Sequence, residues 1–358
     1  MDAILGEVTI RHRREKLEEM ARGNGLSDAY TATLARLKTQ KRNKSVLGMK
    51  VLMWVLYSKR PLLTGELCCA LGVEIGSTDL DLEGVPALRT LLSSCFGLVT
   101  VEAYSSTVRL VHYTLQEHLL HDPTLFHSPH SAIAEVCLTY LNFRSAWDLS
   151  STLDSAPLAM PFLKYASHYW GEHIREGMTE NVKTLALRLL DRFDEHISAQ
   201  LLLEHHNLSY SNSHGARSPT RFTGLHGVAF FGIAEIVAAV LEIKEWDVNA
   251  TDYKGHTALE WAVEKGHEEV VNRLLEREDI NLNYTDTYCG KTILSQAVMH
   301  GHEGVVKMLL KRKDLNPNQT DTKYGQTPLL RALESGSQGI VKILLEREIV
   351  NPNCLGCR

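Results

Sequence analysis

The chain is poor in the features that hold small secreted proteins together. Its seven cysteines, Cys68, Cys69, Cys95, Cys137, Cys289, Cys354 and Cys357, are odd in number and follow no framework spacing. They stand among apolar residues, where free thiols pack as small hydrophobes, so a reducing compartment, cytoplasmic or nuclear, is expected. An excess of one charge is missing too. Thirty-eight cationic and 43 acidic residues give a net charge of -5, with no basic stripe for phosphates and no polybasic run for lipid headgroups. Nucleic acid and membrane are therefore not expected as partners. The longest apolar run, Val46 to Leu56, is short and interrupted by Lys50, far from a bilayer span. Met1 to Lys16 carries Arg11, His12, Arg13 and Arg14 with no apolar segment behind them, which is not the pattern of a signal peptide.

Catalytic patterns are also lacking. The sequence has no Gly-x-Ser-x-Gly elbow, no His-Glu-x-x-His and no two Cys-x-x-Cys pairs in register. Cys354-Leu-Gly-Cys357 is a single pair, and His112, His118, His121, His127 and His130 read as surface histidines rather than a zinc set. Gly290-Lys291-Thr292 imitates the end of a phosphate-binding loop, but position 285 is threonine where that loop needs glycine. A non-enzymatic protein without cofactor or metal is expected.

What the sequence does have is a period. Gly232, Gly266, Gly301 and Gly336 are spaced by 34, 35 and 35 residues, and Thr223, Thr257, Thr292 and Thr327 each stand nine residues earlier. After each glycine comes a β-branched pair and then an aliphatic pair: Ile236-Val237 with Val240-Leu241, Val270-Val271 with Leu274-Leu275, Val305-Val306 with Leu309-Leu310, and Ile340-Val341 with Leu344-Leu345. The threonine suits the cap of a first helix and the glycine a left-handed stop. The aliphatics form a stripe that one helix pair cannot bury alone, so such units occur as stacks. Between pairs, Asn249-Ala-Thr-Asp252, Asn283-Tyr-Thr-Asp286 and Asn318-Gln-Thr-Asp321 are each followed by a glycine, at Gly255, Gly290 or Gly325, as tight turns require.

Thr257-Ala-Leu259 with Gly266-His267-Glu268-Glu269-Val270-Val271, and Thr327-Pro328-Leu329 with its glycine, resemble the ankyrin repeat, over roughly Arg221 to Asn353. The resemblance implies about four repeats in a solenoid whose turn tips and first-helix faces form a concave, protein-binding surface. At the tips stand Tyr253, Tyr288 and Tyr324; on the helix face stand Trp261, Glu264, Gln296, Met299, Arg331 and Glu334. Aromatic and arginine side chains dominate interface energetics, but Trp261 has a second reading as the filler of an inter-repeat gap, and the tyrosines as side chains lying on their own turns. The histidine of the family's Thr-Pro-Leu-His element is kept only as His226. Glu260, Ser295 and Leu330 replace it, and each replacement is expected to lose an inter-repeat hydrogen bond. Val350-Asn-Pro-Asn-Cys354 begins a fifth turn, so the last unit is expected to fray.

Upstream, helices are expected at Ala29 to Leu37 behind Ser27-Asp28, at Val46 to Tyr57, after a Thr64 cap, and at Val85 to Cys95. Strands are expected at Leu98 to Glu102 and Thr107 to Val111. This order describes a winged helix. Leu26-Ser-Asp-Ala-Tyr30, Ser58-Lys-Arg-Pro-Leu62 with Glu66-Leu67, and Val108-Arg-Leu-Val-His112-Tyr-Thr-Leu-Gln-Glu117 resemble the winged-helix domain of the GPI inositol-deacylase type that follows the NACHT module in fungal NOD-like receptors. Phe162-Leu-Lys-Tyr-Ala-Ser-His-Tyr-Trp170 resembles a later segment of that family. The resemblance implies contact between the winged helix and a NACHT module, with His112 near that surface; in a chain without the module, His112 reads as structural. The candidate DNA-reading helix has Arg89 as its only cation, against Asp79, Asp81 and Glu83. The fold expected is thus mainly α: an N-terminal helical segment at 1–24, a winged helix at 25–125, a helical linker at 126–208 and ankyrin repeats at 209–358. The function expected is non-catalytic protein binding, the alternative being the regulatory half of a NACHT-type signalling ATPase.

Overall fold

The computed structural model describes residues 24–149, 160–205, 221–243, 246–285, 290–347 and 349–351. The expected N-terminal segment before residue 24, the expected boundary between linker and repeats at 208/209 and the fifth turn beyond Asn351 lie outside these residues. The chain forms two compact units, Met1–Ser145 with Thr152–Tyr169, and Ala146–Ser151 with Trp170–Arg358.

In the first unit, α1 (Asn24–Lys38), α2 (Arg42–Tyr57), β1 (Leu62–Leu63), α3 (Thr64–Gly72), α4 (Leu88–Ser94), β2 (Val99–Val101), β3 (Thr107–Leu110), α5 (Tyr113–Leu120) and α6 (Pro129–Leu141) follow in order. Helix α2 is central and packs on α1, α3, α4 and α6. Its Val51, Leu52 and Trp54 are buried with Leu37, Leu67, Leu91 and Leu115, each such side chain contributing about 1.5–3 kcal/mol through removal from water. The strands form one antiparallel sheet in the order β1-β3-β2, with Leu62 opposite Val108 and Val99 opposite Leu110.

Four local expectations need correction. Helix α1 starts at Asn24, and Ser27 does not cap it but meets His118 Nδ1 at 3.1 Å. The cap of α3 is Leu63 rather than Thr64, because the Glu66 carboxylate reaches back to accept the Leu63 N–H at 2.8 Å. Helix α4 begins at Leu88 instead of Val85, since Val85 precedes Pro86 and is held extended at φ -74°, ψ 117°. The two residues of β1, absent from the sequence reading, complete the wing.

The second unit contains α9 (Glu180–Leu190), α10 (Ile197–His205) and four helix pairs: α11 (Gly224–Phe231) with α12 (Val237–Ile243), α13 (Ala258–Lys265) with α14 (Glu268–Leu275), α15 (Ile293–Met299) with α16 (Glu303–Leu309), and α17 (Pro328–Glu334) with α18 (Gln338–Leu345). Two more helices, α7 (Arg144–Asp148) and α8 (Leu163–Glu176), span the division between units. Thr257, Thr292 and Thr327 each accept the backbone N–H three residues on. Gly232, Gly266, Gly301 and Gly336 all have φ near +70°, from 68° to 73°. Both features match the periodic signal. The aliphatic quartets meet between neighbours: α12 packs on α14, α14 on α16 and α16 on α18, with Val240, Val271, Leu274, Val306, Leu309 and Leu344 at most 1% exposed.

The stack does not begin abruptly. Trp170 lies 4.8 Å from Phe231 and 6.2 Å from Phe193; Phe193 meets Phe222, and Phe222 meets Trp261 at 5.7 Å. This chain of edge-on and tilted rings joins the helices before residue 205 to the first two pairs in one core. Two glycines allow the approach: a Cβ at Gly171 would lie 2.2 Å from the Phe231 ring, and one at Gly224 would lie 2.3 Å from the Leu190 carbonyl oxygen.

Candidate interaction surface

Among the described residues, the turns leading into α13 and α17 are each organised by a buried aspartate, Asp252 and Asp321. Asp252 Oδ1 accepts the Lys254 and His256 N–H groups at 2.9 Å, and its Oδ2 accepts the Trp261 indole at 3.0 Å. Asp321 accepts the Tyr324 N–H at 2.6 Å, and its Oδ2 is held by the Arg331 guanidinium, with Nε at 3.1 Å. The second socket is filled by Arg331 where the first takes Trp261. Trp261 and Arg331 stand at the same register, four residues after the capping threonine, and Asp321 stands four residues before its glycine where Asp252 stands three.

These contacts divide the expected binding residues. Trp261 is 1% exposed, within 5.7 Å of Phe222 and 5.5 Å of Phe230; it is the gap filler, and its reading as a binding anchor is corrected. Gln296 is also buried, its side-chain amide donating to Glu260 Oε1 of the preceding pair at 3.4 Å. That bond corrects the expected loss at Glu260, whose carboxylate also accepts the Thr257 N–H at 2.7 Å. Arg331 is half-buried on Asp321, and Glu264 is half-buried beside Lys265 at 3.3 Å. Tyr253 is half-buried with the Lys254 ammonium 5.7 Å over its ring. Tyr288 lies outside the described residues. Met299 and Tyr324 remain open, at 43% and 60% exposed. Arg331 connects their neighbourhoods, donating to Met299 Sδ at 3.4 Å while holding Asp321 at the base of the Tyr324 turn. Glu334, exposed on the same helix, accepts the Gln326 amide at 2.9 Å.

Two further sets of residues join the pairs; of these the sequence pointed to His226 for an inter-repeat bond, but to the asparagines only as turn residues and not to His267 or His302 as links. His226 Nε2 donates to His256 O at 3.1 Å, His267 Nε2 to Phe230 O at 3.0 Å, and His302 Nε2 to Glu264 O at 3.0 Å. The repeated Gly-His dipeptide was the available signal for the last two. On the loops, Asn249 Nδ2 donates to Asp279 O while its Oδ1 accepts from Asn281 N; Asn283 does the same with Asp314 and Asn316, and Asn318 with Ile349 and Asn351, all at 2.6–2.8 Å. Each asparagine is a two-pronged clamp on the next pair.

Residues 192–286 and 278–354 match the family described as ankyrin repeats (3 copies). The stacked pairs are ankyrin repeats. Residues 34–134 match the family described as GPI inositol-deacylase, winged helix domain, so a winged helix of that type precedes the ankyrin array. No curated protein matches the chain. Within the winged helix, His112 is the cap of α5: its Nδ1 accepts the Thr114 N–H at 3.3 Å and lies 2.8 Å from the Thr114 hydroxyl. The Arg60 guanidinium grips the buried Glu66 carboxylate at 2.8 and 2.7 Å and stacks 5.2 Å from the Tyr165 ring, while Tyr165 Oη accepts the Lys59 N–H at 3.0 Å. Lys59 and Arg60 of the Ser-Lys-Arg-Pro motif thereby tie β1 and α3 to the segment Phe162–Tyr169. Among the described residues no cluster of three or more potential metal ligands occurs, and no helix is long and apolar enough to cross a membrane.

Proposed function

We propose that this chain is a non-catalytic binding protein whose ankyrin array receives a protein segment along the third and fourth repeats, at Met299, Tyr324 and the exposed edge of Glu334. The observation that carries this reading is the pairing of two large exposed side chains with a restrained support. Arg331 touches Met299 and holds the Tyr324 turn through Asp321, so a partner would lose little side-chain freedom on docking there. Ankyrin repeats generally mediate protein interactions, which supports a protein as the partner. The free thiols of Cys68, Cys69, Cys95 and Cys137 fit a reducing compartment, and we assign the protein to the cytoplasm or nucleus. Affinity capture with the full chain, followed by calorimetry of each captured protein against wild type, Met299→Ala and Tyr324→Ala, tests the reading. A partner whose affinity is unchanged by both substitutions would overturn it.

A second reading is favoured by the order of modules. A winged helix of this type followed by ankyrin repeats is the arrangement of NACHT-type signalling ATPases, and the chain would then supply their regulatory part, the winged helix docking on a nucleotide-binding module. Co-expression with such a module from the same genome tests it; failure of the two to co-purify in either nucleotide state excludes it.

A further inference from the structure

The fourth ankyrin repeat presents an apolar face whose equivalents in the earlier repeats are covered. Val263 and Val298 are fully buried, while Leu333 at the same register is 50% exposed. Val271 and Val306 are fully buried, while Val341 is only half-buried. Leu310 is 4% exposed and Leu345 is 51% exposed. A groove of about 640 Å³ runs between α17 and α18, floored by Ala332, Leu333, Val341 and Leu345. After α18 the sequence departs from its own period. Asp279 and Asp314 pair with Arg277 and Arg312 at 2.7 Å, but the equivalent of those aspartates is Ile349, 59% exposed. An ion-pairing carboxylate has given way to an exposed branched hydrocarbon, so the loop after α18 adds apolar surface that its equivalents in the earlier repeats lack.

The charges on this face select the occupant. Lys342 and Glu346 are exposed one turn apart on α18, alongside Val341 and Leu345. A helix with that pattern is complementary to itself when turned antiparallel: about a two-fold axis, Lys342 of each copy meets Glu346 of the other while Leu345 of each enters the opposite groove. We infer that this face joins two copies of the chain, α18 against α18, in an isologous dimer. The patch is small, so the dimer is a weak one, forming in the micromolar range. The dimer does not depend on the binding role assigned to Met299 and Tyr324.

Sedimentation equilibrium of the full chain across a concentration series tests the inference. A monomer–dimer equilibrium is expected, and Lys342→Glu or Glu346→Lys alone should weaken it about tenfold, since each sets like charges face to face. An equimolar mixture of the two single variants should regain the wild-type affinity, because the mixed pair restores both attractions. A charge pair within one helix cannot produce that rescue. Leu345→Asp should abolish the dimer, and unchanged thermal melts of the two charge variants show that the fold is retained. A chain that stays monomeric at the highest concentration, a dimer indifferent to all three substitutions, or a mixture no tighter than its components overturns the proposal and leaves the face to a different protein.

Discussion

Trp261 donates its indole N–H to Asp252 Oδ2 at 3.0 Å, with both side chains at most 2% exposed. The bond ties the second repeat's turn to its own helix. Asp252→Ala would strand three donors, the Trp261 indole and the Lys254 and His256 amides, and is expected to cost about 2–4 kcal/mol. Trp261→Ala should cost about 3–5 kcal/mol through the cavity it leaves among Phe222 and Phe230. Chemical denaturation monitored by circular dichroism checks both; a Trp261→Ala protein as stable as wild type would show that the residue is not core.

Met299→Ala and Tyr324→Ala should behave in the opposite way. Both side chains are exposed, so melting should shift little, while affinity for the docked partner should fall by about 1–2 kcal/mol each. A loss of stability without a loss of affinity would move these residues from the surface role to a structural one.

Protonation should loosen the repeats. Burial holds the imidazoles of His226 and His267 below the ordinary value of 6.5, against the opposing pull of Asp252 on His226 and of the Phe230 carbonyl on His267; His256 lies beside the first, and Arg175, Lys265 and His302 beside the second. A depressed histidine takes up its proton more readily in the unfolded chain. Its contribution to stability is therefore intact above pH 6.5 and lost as pH falls through the lower folded values. Melting temperature of the ankyrin unit should be flat from about pH 8 to 7 and fall below about pH 6. His267→Gln should flatten that fall, and a wild-type melt independent of pH down to about 5 would contradict the assignment.

In the winged helix, Arg60→Ala should destabilise more than Glu66→Gln. The first leaves a carboxylate that is 3% exposed without its cation, whereas the second removes the charge itself and keeps an acceptor for the Leu63 N–H. A loss on the order of 2–3 kcal/mol is expected for Arg60→Ala, allowing for the partial exposure of the guanidinium. Equal effects from the two substitutions would argue against a charge-driven role.

The period of the ankyrin array was readable because backbone geometry needs particular residues: a glycine where φ is near +70° and a threonine where a helix start needs an acceptor. Wing strands and the helices flanking them were readable from β-branching and apolar spacing. What escaped were pairings decided by three-dimensional neighbours. Trp261 is chemically suited both to a core and to an interface, and only the proximity of Phe222, Phe230 and Asp252 decides between them. The two residues of β1 are too few to carry an alternation. The ring chain from Trp170 to Trp261 links residues far apart in sequence with no local signature, so the segment before the repeats read as a linker although its aromatic side chains continue the repeat core. Glu260 was expected to weaken its repeat because the family's histidine is replaced there, yet its carboxylate receives bonds from Thr257 and Gln296.

The asparagine clamps at Asn249, Asn283 and Asn318 each reach across to the loop that follows the next repeat. Tension applied along the stack would load them in series, one coupling per junction, each with two short bonds to backbone atoms on a single side-chain amide. Under pulling, the array should therefore yield in steps of about one repeat rather than all at once.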